Sequence, residues 1–449
     1  MQPLLKMDLS LKYREIWRLT WPVMLGMLAH NFINLTDTVF LGWVGETELG
    51  AAAIGGLFFY GIFVIGFGFS IGTQILISRR NGEGRPAEIG RIFNHSMGFL
   101  LLLGVVFIAL TLVIAPLILK PALASDQVYQ ATWEYLKYRI FGIIFSFAIA
   151  AFRAFYIGTL RPALVSWSAG LMAVLNILLS WILIFGELGF PAMGIAGAAI
   201  ASVISEAAGL LFLWLLSLKA GFSRNYGILK AGGFDFALIR HTLEVSVFTM
   251  IQNFMAMGAW LIFFIIIEQS GERPLAISNI IRSIYIMLMI PLWAFGTTAN
   301  TLVSNLMGAG RQDIVLKALR RITLMSLWST AFVVGIATLL PGPIFSIYNA
   351  SPDLYREALP VFYMVMAALI MFSIVIPVYS AVSGTGDTRA GMIIEAITIF
   401  TYLAFVFTVV IILQQGVVVA WYSEFVYFIV MGSLSWAYLR FGKWRSIRI

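Results

Sequence analysis

Nine long stretches of this chain contain no Asp, Glu, Lys or Arg: Leu19–Thr36, Leu49–Ser78, Ile92–Leu119, Pro162–Gly186, Val245–Ile267, Ser283–Gly310, Ile322–Pro352, Ala358–Gly386 and Ala396–Ser423. About 20 apolar residues cross a bilayer as a helix, so these stretches read as crossings. Three more follow when interior charges are admitted, at about 133–157 (Arg139, Arg153), 194–216 (Glu206) and 416–439 (Glu424). The total of twelve leaves no segment for a soluble domain, and no stretch alternates as a membrane barrel strand would. Composition agrees: 61% of the 449 residues are hydrophobic and 11% charged, against about 25% charged in soluble chains. The class is an all-α polytopic membrane protein. Without cysteine, disulfides, thiolate metal sites and Cys nucleophiles are excluded.

The net charge of +8 resembles a nucleic-acid signal until the positions of the charges are considered. Of the 29 basic residues, 22 fall on one side of the predicted membrane: Lys6 to Arg18, Arg79 to Arg91, Arg161, Lys219 to Arg240, Arg311 to Arg321, Arg389 and Arg440 to Arg448. The opposite side takes five, Lys120, Lys137, Arg139, Arg273 and Arg356, while Arg153 and Arg282 fall inside or at the ends of spans. An excess of Lys and Arg marks the cytoplasmic face, which predicts both termini there, in a multi-pass protein of the plasma (bacterial inner) membrane. The partner implied by the charge is the lipid bilayer, not nucleic acid. No small-residue cleavage site follows the first apolar run, so no cleavable signal is predicted. Leu9–Trp21 reads as an amphipathic helix on the inner surface.

Shifting the sequence along itself by about half its length superposes two pairs of connections. Ser78, Gly82, Gly84 and Arg85 fall on Ser304, Gly308, Gly310 and Arg311, and at the same offset Gly158-Thr159 falls on Gly384-Thr385. Six spans per half give both halves one orientation, the parallel repeat from which many transporters are built. The predicted organisation is a cytoplasmic amphipathic segment (1–18), an N-terminal six-helix lobe (19–218), an inter-lobe loop (219–240), a C-terminal six-helix lobe (241–440) and a basic tail (441–449).

A carboxylate in a bilayer interior costs roughly 2.5–3.5 kcal/mol on an insertion scale, so charges inside spans are either paired or used. Asp37, Glu206, Glu395 and Glu424 lie deep. Glu268 at the end of span 7 is expected to pair with Arg282 of span 8 as a structural contact. Asp37 closes a polar run that begins at His30-Asn31. His30, Asn34 and Asp37, spaced by four and three, share one helical face. Such a stripe lines water or another helix rather than lipid. A carboxylate there can bind and release a proton, or can be neutralised by hydrogen bonds between helices. Asn176 and Ser180 in span 5, and Ser202 and Glu206 in span 6, repeat the spacing of four. They either orient a ligand or hold helices together. Span 7 adds Gln252 and Asn253.

Signatures of catalysis are missing: no HExxH, no Walker-type loop, no GxSxG, and no GxGxxG followed by a strand. Three histidines, His30, His95 and His241, make a multi-histidine metal site an unexpected arrangement. The sequence therefore predicts a protein that is not an enzyme and needs no cofactor.

Thr20–Gly45 (TWPVMLGMLAHNFINLTDTVFLGWVG) closely resembles the first span of the multidrug and toxic compound extrusion (MATE) transporters. Gly72–Arg85, Arg153–Pro162 and Ser383–Arg389 resemble further junctions of that family, and the similarity covers essentially the whole chain. The resemblance implies two six-helix lobes facing each other in a V that alternate between two openings. It also implies export of organic, often cationic, compounds in exchange for H⁺ or Na⁺. By resemblance Asp37 serves ion coupling, Asn34 is its family neighbour, His30-Asn31 stand where a Gln pair is common, and Asn176 matches an N-lobe Asn. Ser180 stands where some members have a second Asp. Met255 and Phe372 lie near positions that carry acids in other members. These departures weaken a Na⁺ site and leave Asp37, with Glu206, as the cation-coupling pair and H⁺ as the coupling ion ahead of Na⁺. His30, Asn31, Asn34, Asn176, Ser180, Ser202, Gln252 and Asn253 are the candidates for substrate contact or cavity lining, in a protein expected to work as a monomer. The alternative within the same superfamily is a flippase of a lipid-linked precursor, which would need several cations for a diphosphate.

Overall fold

Two glycines punctuate the fold at equivalent places. Gly84 and Gly310 have φ of +70° and +69°, a left-handed conformation that glycine adopts without steric cost. Each lies just beyond the end of a 37-residue helix, Glu46–Gly82 in one case and Glu272–Gly308 in the other. The two helices carry acids in their first turn, where the helix dipole favours negative charge. Their bounds are related by the same offset that superposes the sequence motifs.

The computed structural model describes residues 12–230, 233, 235–348 and 351–449. In order, the helices are α1 (Tyr13–Val44), α2 (Glu46–Gly82), α3 (Pro86–Ala122), α4 (Asp126–Arg139), α5 (Gly142–Gly158), α6 (Ala163–Phe185), α7 (Gly194–Lys219), α8 (Phe222–Tyr226), α9 (Phe236–Glu268), α10 (Glu272–Gly308), α11 (Val315–Leu339), α12 (Pro341–Ser346), α13 (Pro352–Gly384), α14 (Thr388–Phe407), α15 (Val417–Trp421) and α16 (Ser423–Phe441). Among the described residues ten helical segments are long and apolar enough to cross a membrane, and the pair α4–α5, bent by 48°, makes an eleventh. The 32-residue α1 completes the twelve.

Two of the expected elements take a different form. The fourth span is not one helix: it breaks at Ile140–Phe141, between Arg139 and Gly142. The amphipathic segment Leu9–Trp21 lies partly outside the described residues. From Tyr13 onward it is no separate surface helix but the start of α1, which runs unbroken through Pro22.

The described chain forms two compact units. The N-terminal unit is Leu25–Met250, and the C-terminal unit comprises the described residues up to Met24 together with Ile251–Ile449. The division thus falls inside α1 and, at the offset of the repeat, inside α9. Reciprocal packing accounts for this. In the C-terminal unit Thr20 Oγ1 lies 3.0 Å from Thr298 Oγ1, and Trp17, stacked on Trp21, also meets Phe295. In the N-terminal unit the equivalent Ser246 sits on Gly72, equivalent to Thr298, so closely that a Cβ at Gly72 would fall on the Ser246 hydroxyl. Ser246 Oγ donates to the Phe69 carbonyl at 3.2 Å, and Thr249 Oγ1 to that of Gly68 at 2.7 Å. Hydroxyl-to-carbonyl bonds and glycine contacts are the usual devices for close helix packing in apolar surroundings.

The segment before α9 is held by α3. Asn94 Nδ2 donates to the Gly227 carbonyl at 2.9 Å, and its Oδ1 accepts the Leu229 N–H at 2.7 Å. Leu229, at φ +60°, is kept in a conformation disfavoured for a branched side chain. Further on, Arg91 pairs with Asp235 at 2.7 Å, and the Asp235 N–H donates to His95 Nε2 at 3.0 Å. The Leu238 N–H, followed by Arg91, holds the Asp235 carboxyl below the usual carboxylate range. That contribution is present above an ordinary carboxylate pKa of about 4 and is lost as the carboxyl protonates in stronger acid. Asn94→Ala is expected to remove two of these ties, at about 1–3 kcal/mol locally. Amide exchange at Gly227–Lys230 should accelerate while exchange in α5 is unchanged; equal protection in the variant would place the anchor elsewhere.

Candidate functional site

Glycine lets α6 and α7 approach. A Cβ on Gly197 would lie 2.6 Å from the Leu183 carbonyl, and one on Gly209 would press on Met172. Ser168 Oγ donates to the Gly209 carbonyl at 3.0 Å. The close approach brings the polar faces of the two helices together: Asn176 Nδ2 donates to Ser202 Oγ at 3.1 Å. Asp37, from α1, completes the cluster. Ser180 Oγ donates to its Oδ1 at 2.9 Å and Ser202 Oγ to its Oδ2 at 3.3 Å. Asn176 and Ser180 are fully buried and Ser202 nearly so. Among the described residues no Lys or Arg lies within salt-bridge distance of Asp37. Asn176 Oδ1 is also buried and accepts no hydrogen bond from the protein.

Glu206 lies one turn beyond Ser202, and it is not alone. Arg139 donates to both its oxygens, at 2.7 and 3.0 Å, in the bidentate geometry that makes Arg–carboxylate pairs strong. The guanidinium also lies 3.7 Å from the centroid of the Phe59 ring. The pair occupies the break between α4 and α5, where a Cβ at Gly142 would fall on Arg139 Nη1 and Glu206 Oε2. Sequence position alone puts Arg139 on the outer side and leaves Glu206 unpartnered. The bend turns Arg139 inward, so Glu206 is a paired carboxylate.

The remaining candidates separate. Asn34 is exposed on α1, its carbonyl accepting from Thr38, while His30 keeps accessible surface yet lies within electrostatic reach of Glu206, Arg139 and Arg153; Asn31 Nδ2 donates to the Met27 carbonyl at 3.0 Å. Gln252 and Asn253 belong to the C-terminal unit, where Gln252 Oε1 is buried without a hydrogen-bond partner. The Glu268–Arg282 pair expected from sequence does not form: Gln269 donates to Glu268, and Arg282 lies over the Phe264 ring at 4.8 Å. Phe372 is buried and stacks on Phe428, with centroids 4.4 Å apart. Among the described residues no group of three or more His, Cys, Asp or Glu could hold a metal ion.

Duplicated bundles of crossing helices, with a carboxylate held by hydroxyls from two others, define a polytopic membrane protein of the transporter kind. The MatE family model matches residues 22–182 and again 248–410, and the starts of the two matches are related by the offset of the internal repeat. The chain belongs to the MatE family and is a membrane transporter, not an enzyme. It is 27% identical over 441 residues to the "Probable multidrug resistance protein NorM" of Thermotoga maritima, covering 96% of this chain and 93% of that one. It is 25% identical over 342 residues to the protein of the same description from Neisseria meningitidis serogroup A, covering 76% and 74%. Its fold is similar to that of a MOP superfamily transporter from Pyrococcus furiosus, with TM-score 0.88, 18% identity and 95% of each chain covered. A multidrug resistance MATE family transporter solved in an outward-facing conformation gives TM-score 0.85, at 19% identity and the same coverage.

Proposed function

We propose that the protein is a secondary active exporter of organic compounds, cationic or amphiphilic, by antiport with H⁺. The observation that carries this reading is Asp37: a carboxylate on a membrane-spanning helix, held by the Ser180 and Ser202 hydroxyls beside Asn176 and without an ion-pair partner among the described residues. Binding a proton and losing it changes both the charge and the hydrogen-bonding role of that carboxyl. With the proton on, it can donate as well as accept, and the buried Asn176 Oδ1 is an acceptor in the same cluster. The packing of α1 against α6 and α7 then differs between the two states, and a ligand shifts an equilibrium only through such a difference in affinity. H⁺ is favoured over Na⁺ because Na⁺ is a hard ion that prefers several oxygen ligands. Here a single carboxylate has its two oxygens already facing hydroxyl donors. Glu206, neutralised by Arg139, supports the site as a fixed ion pair.

The relatives described as probable multidrug resistance proteins support the substrate class. The basic residues gathered on one side of the spans support a plasma-membrane protein with cytoplasmic termini, and the two units within one chain are compatible with a functional monomer. The flippase alternative is not favoured: Arg153 and Arg282, the two basic residues that the sequence leaves inside or at the ends of spans, lie over the Phe67 and Phe264 rings. The test is efflux of ethidium from proteoliposomes under an imposed pH gradient, with and without Na⁺. Efflux that follows the pH gradient and ignores Na⁺ is expected. Efflux that needs Na⁺ would replace the coupling ion, and none under either gradient, with translocation of a lipid-linked diphosphate, would overturn the reading.

A further inference from the structure

Two buried carboxylates have no part in the Asp37 site. Glu395 on α14 and Glu424 on α16 are 3% and 6% exposed. Both lie in the C-terminal unit, and neither forms an ion pair among the described residues. Each instead accepts one short hydrogen bond from a phenol. Tyr427 donates to Glu395 Oε1 at 2.5 Å and Tyr285, from α10, to Glu424 Oε2 at 2.6 Å. Tyr427 follows Glu424 by three positions on the same face of α16, so one turn of helix joins the two pairs. Further tyrosines close the surroundings. Tyr402 of α14 meets the Tyr427 ring edge-on at 5.6 Å. Tyr379 of α13 places its hydroxyl beside the Glu395 carboxyl, within 3.5 Å of the Gly391 carbonyl one turn before it. The cation nearest in sequence to these groups, Arg282, is one turn before Tyr285 and lies over Phe264. The titratable groups facing the two acids are therefore tyrosines from α10, α13, α14 and α16. Ser423, beside Glu424, is wholly buried, and its hydroxyl, which neighbours Tyr402, has no protein hydrogen-bond partner within bonding geometry.

A bare carboxylate at such a depth is costly unless a cation neutralises it, and here no basic side chain among the described residues does so. Glu424 keeps Oε1 outside its phenol bond, and Glu395 keeps Oε2 outside the Tyr427 bond, with the Tyr379 hydroxyl beside the same carboxyl. A proton added there neutralises the group while the phenol O–H bond stays in place. We propose that Glu395 and Glu424, with Tyr285 and Tyr427, form a second proton-binding site of the transporter, housed in the C-terminal unit and loaded separately from Asp37. The step is an association alone: a proton adds to a carboxylate oxygen and no other bond is broken. The site differs from the acids that related transporters carry near Met255 and Phe372, because it is built on other helices.

The site does not depend on Asp37 being the coupling group, and the test removes Asp37. The full-length Asp37→Asn protein, reconstituted in lipid, would be followed by pH-difference infrared spectroscopy in the carbonyl stretch of protonated carboxylic acids. Between about pH 9 and 6, above the range in which exposed Asp and Glu protonate, a band that grows as the pH is lowered is expected, with part of it lost in Glu395→Gln, part in Glu424→Gln and all of it lost in the double variant. Tyr285→Phe and Tyr427→Phe keep rings and carboxyls in place, so they serve where a Gln variant does not fold; each should displace the midpoint of the band. A band that survives both Gln substitutions would overturn the proposal. So would midpoints unmoved by either Phe substitution, or carboxyls that stay protonated at every pH, which would make the pair fixed contacts between helices. Ethidium efflux by otherwise wild-type protein tests the Asp37 reading by itself, so the two failures are distinguishable.

Discussion

Asp37→Asn is expected to abolish ethidium efflux driven by a pH gradient while leaving a folded protein. Asparagine has nearly the same shape: its carbonyl accepts from one of the two serines and its amide N–H donates to the hydroxyl oxygen of the other, so the packing of α1 on α6 and α7 is kept. What it lacks is an exchangeable charge. Each pH unit of gradient is worth about 1.4 kcal/mol per proton, a factor of ten in the accumulation ratio when one proton is exchanged per substrate. One proton for one ethidium cation moves no net charge, so the membrane potential, about 2.3 kcal/mol per charge per 100 mV, contributes only when more protons than substrate charges are exchanged. A variant unable to load the proton cannot draw on either supply, so its accumulation ratio should fall at least tenfold, to that of empty liposomes. Ethidium binding in detergent should persist but lose the part of its pH dependence that Asp37 carries. Full pH-driven efflux by Asp37→Asn would sink the assignment. Ser180→Ala should act more mildly: one donor to the carboxylate is lost, worth about 1.5–3 kcal/mol for a bond to a charged group. The pH profile of efflux should therefore shift while transport continues.

The helices were legible because long apolar runs bounded by charges state the thickness of a bilayer directly. The repeat was legible because Gly84 and Gly310 answer to a backbone requirement that few other residues meet. The polar face of α1 was legible from spacing alone. Which member of that face meets α6 and α7 was not, because this depends on the rotation of one helix against two others. Asp37 turns toward Ser180 and Ser202 while His30 and Asn34 keep accessible surface. The break at Ile140–Phe141 was hidden by the apolar residues on both sides of it. Arg139 was misplaced for the same reason, and its partner Glu206 lies 67 residues away. The phenol bonds of Glu395 and Glu424 were also invisible, since tyrosine in an apolar span reads first as packing. One signal could have found them. Four of the 16 tyrosines fall in the stretch that also carries these two acids, Tyr379, Tyr402, Tyr422 and Tyr427, and buried acids without basic neighbours need donors from somewhere.

The second large effect is expected at Arg139 and Glu206. Their side chains are 12% and 9% exposed, so removing one partner leaves the other charge buried and uncompensated. Breaking such a pair costs about 3–5 kcal/mol. Glu206→Gln and Arg139→Met should each lower the midpoint of thermal unfolding, by about 1 °C for each kcal/mol in a chain of 449 residues. The double variant Arg139→Met/Glu206→Gln should recover much of the loss, since replacing both charges is often close to neutral. That recovery, measured as a double-mutant cycle, separates an ion pair from two independent contributions. Gly142→Ala should reproduce the single losses by displacement, because the added methyl needs the space the pair occupies. The same variants decide between a fixed pair and a carrier of the coupling proton. If Glu206 holds only Arg139, the double variant regains pH-driven efflux together with its stability. If Glu206 itself loads the proton, stability returns and efflux does not, and Asp37 would then share the coupling role with Glu206 instead of filling it alone.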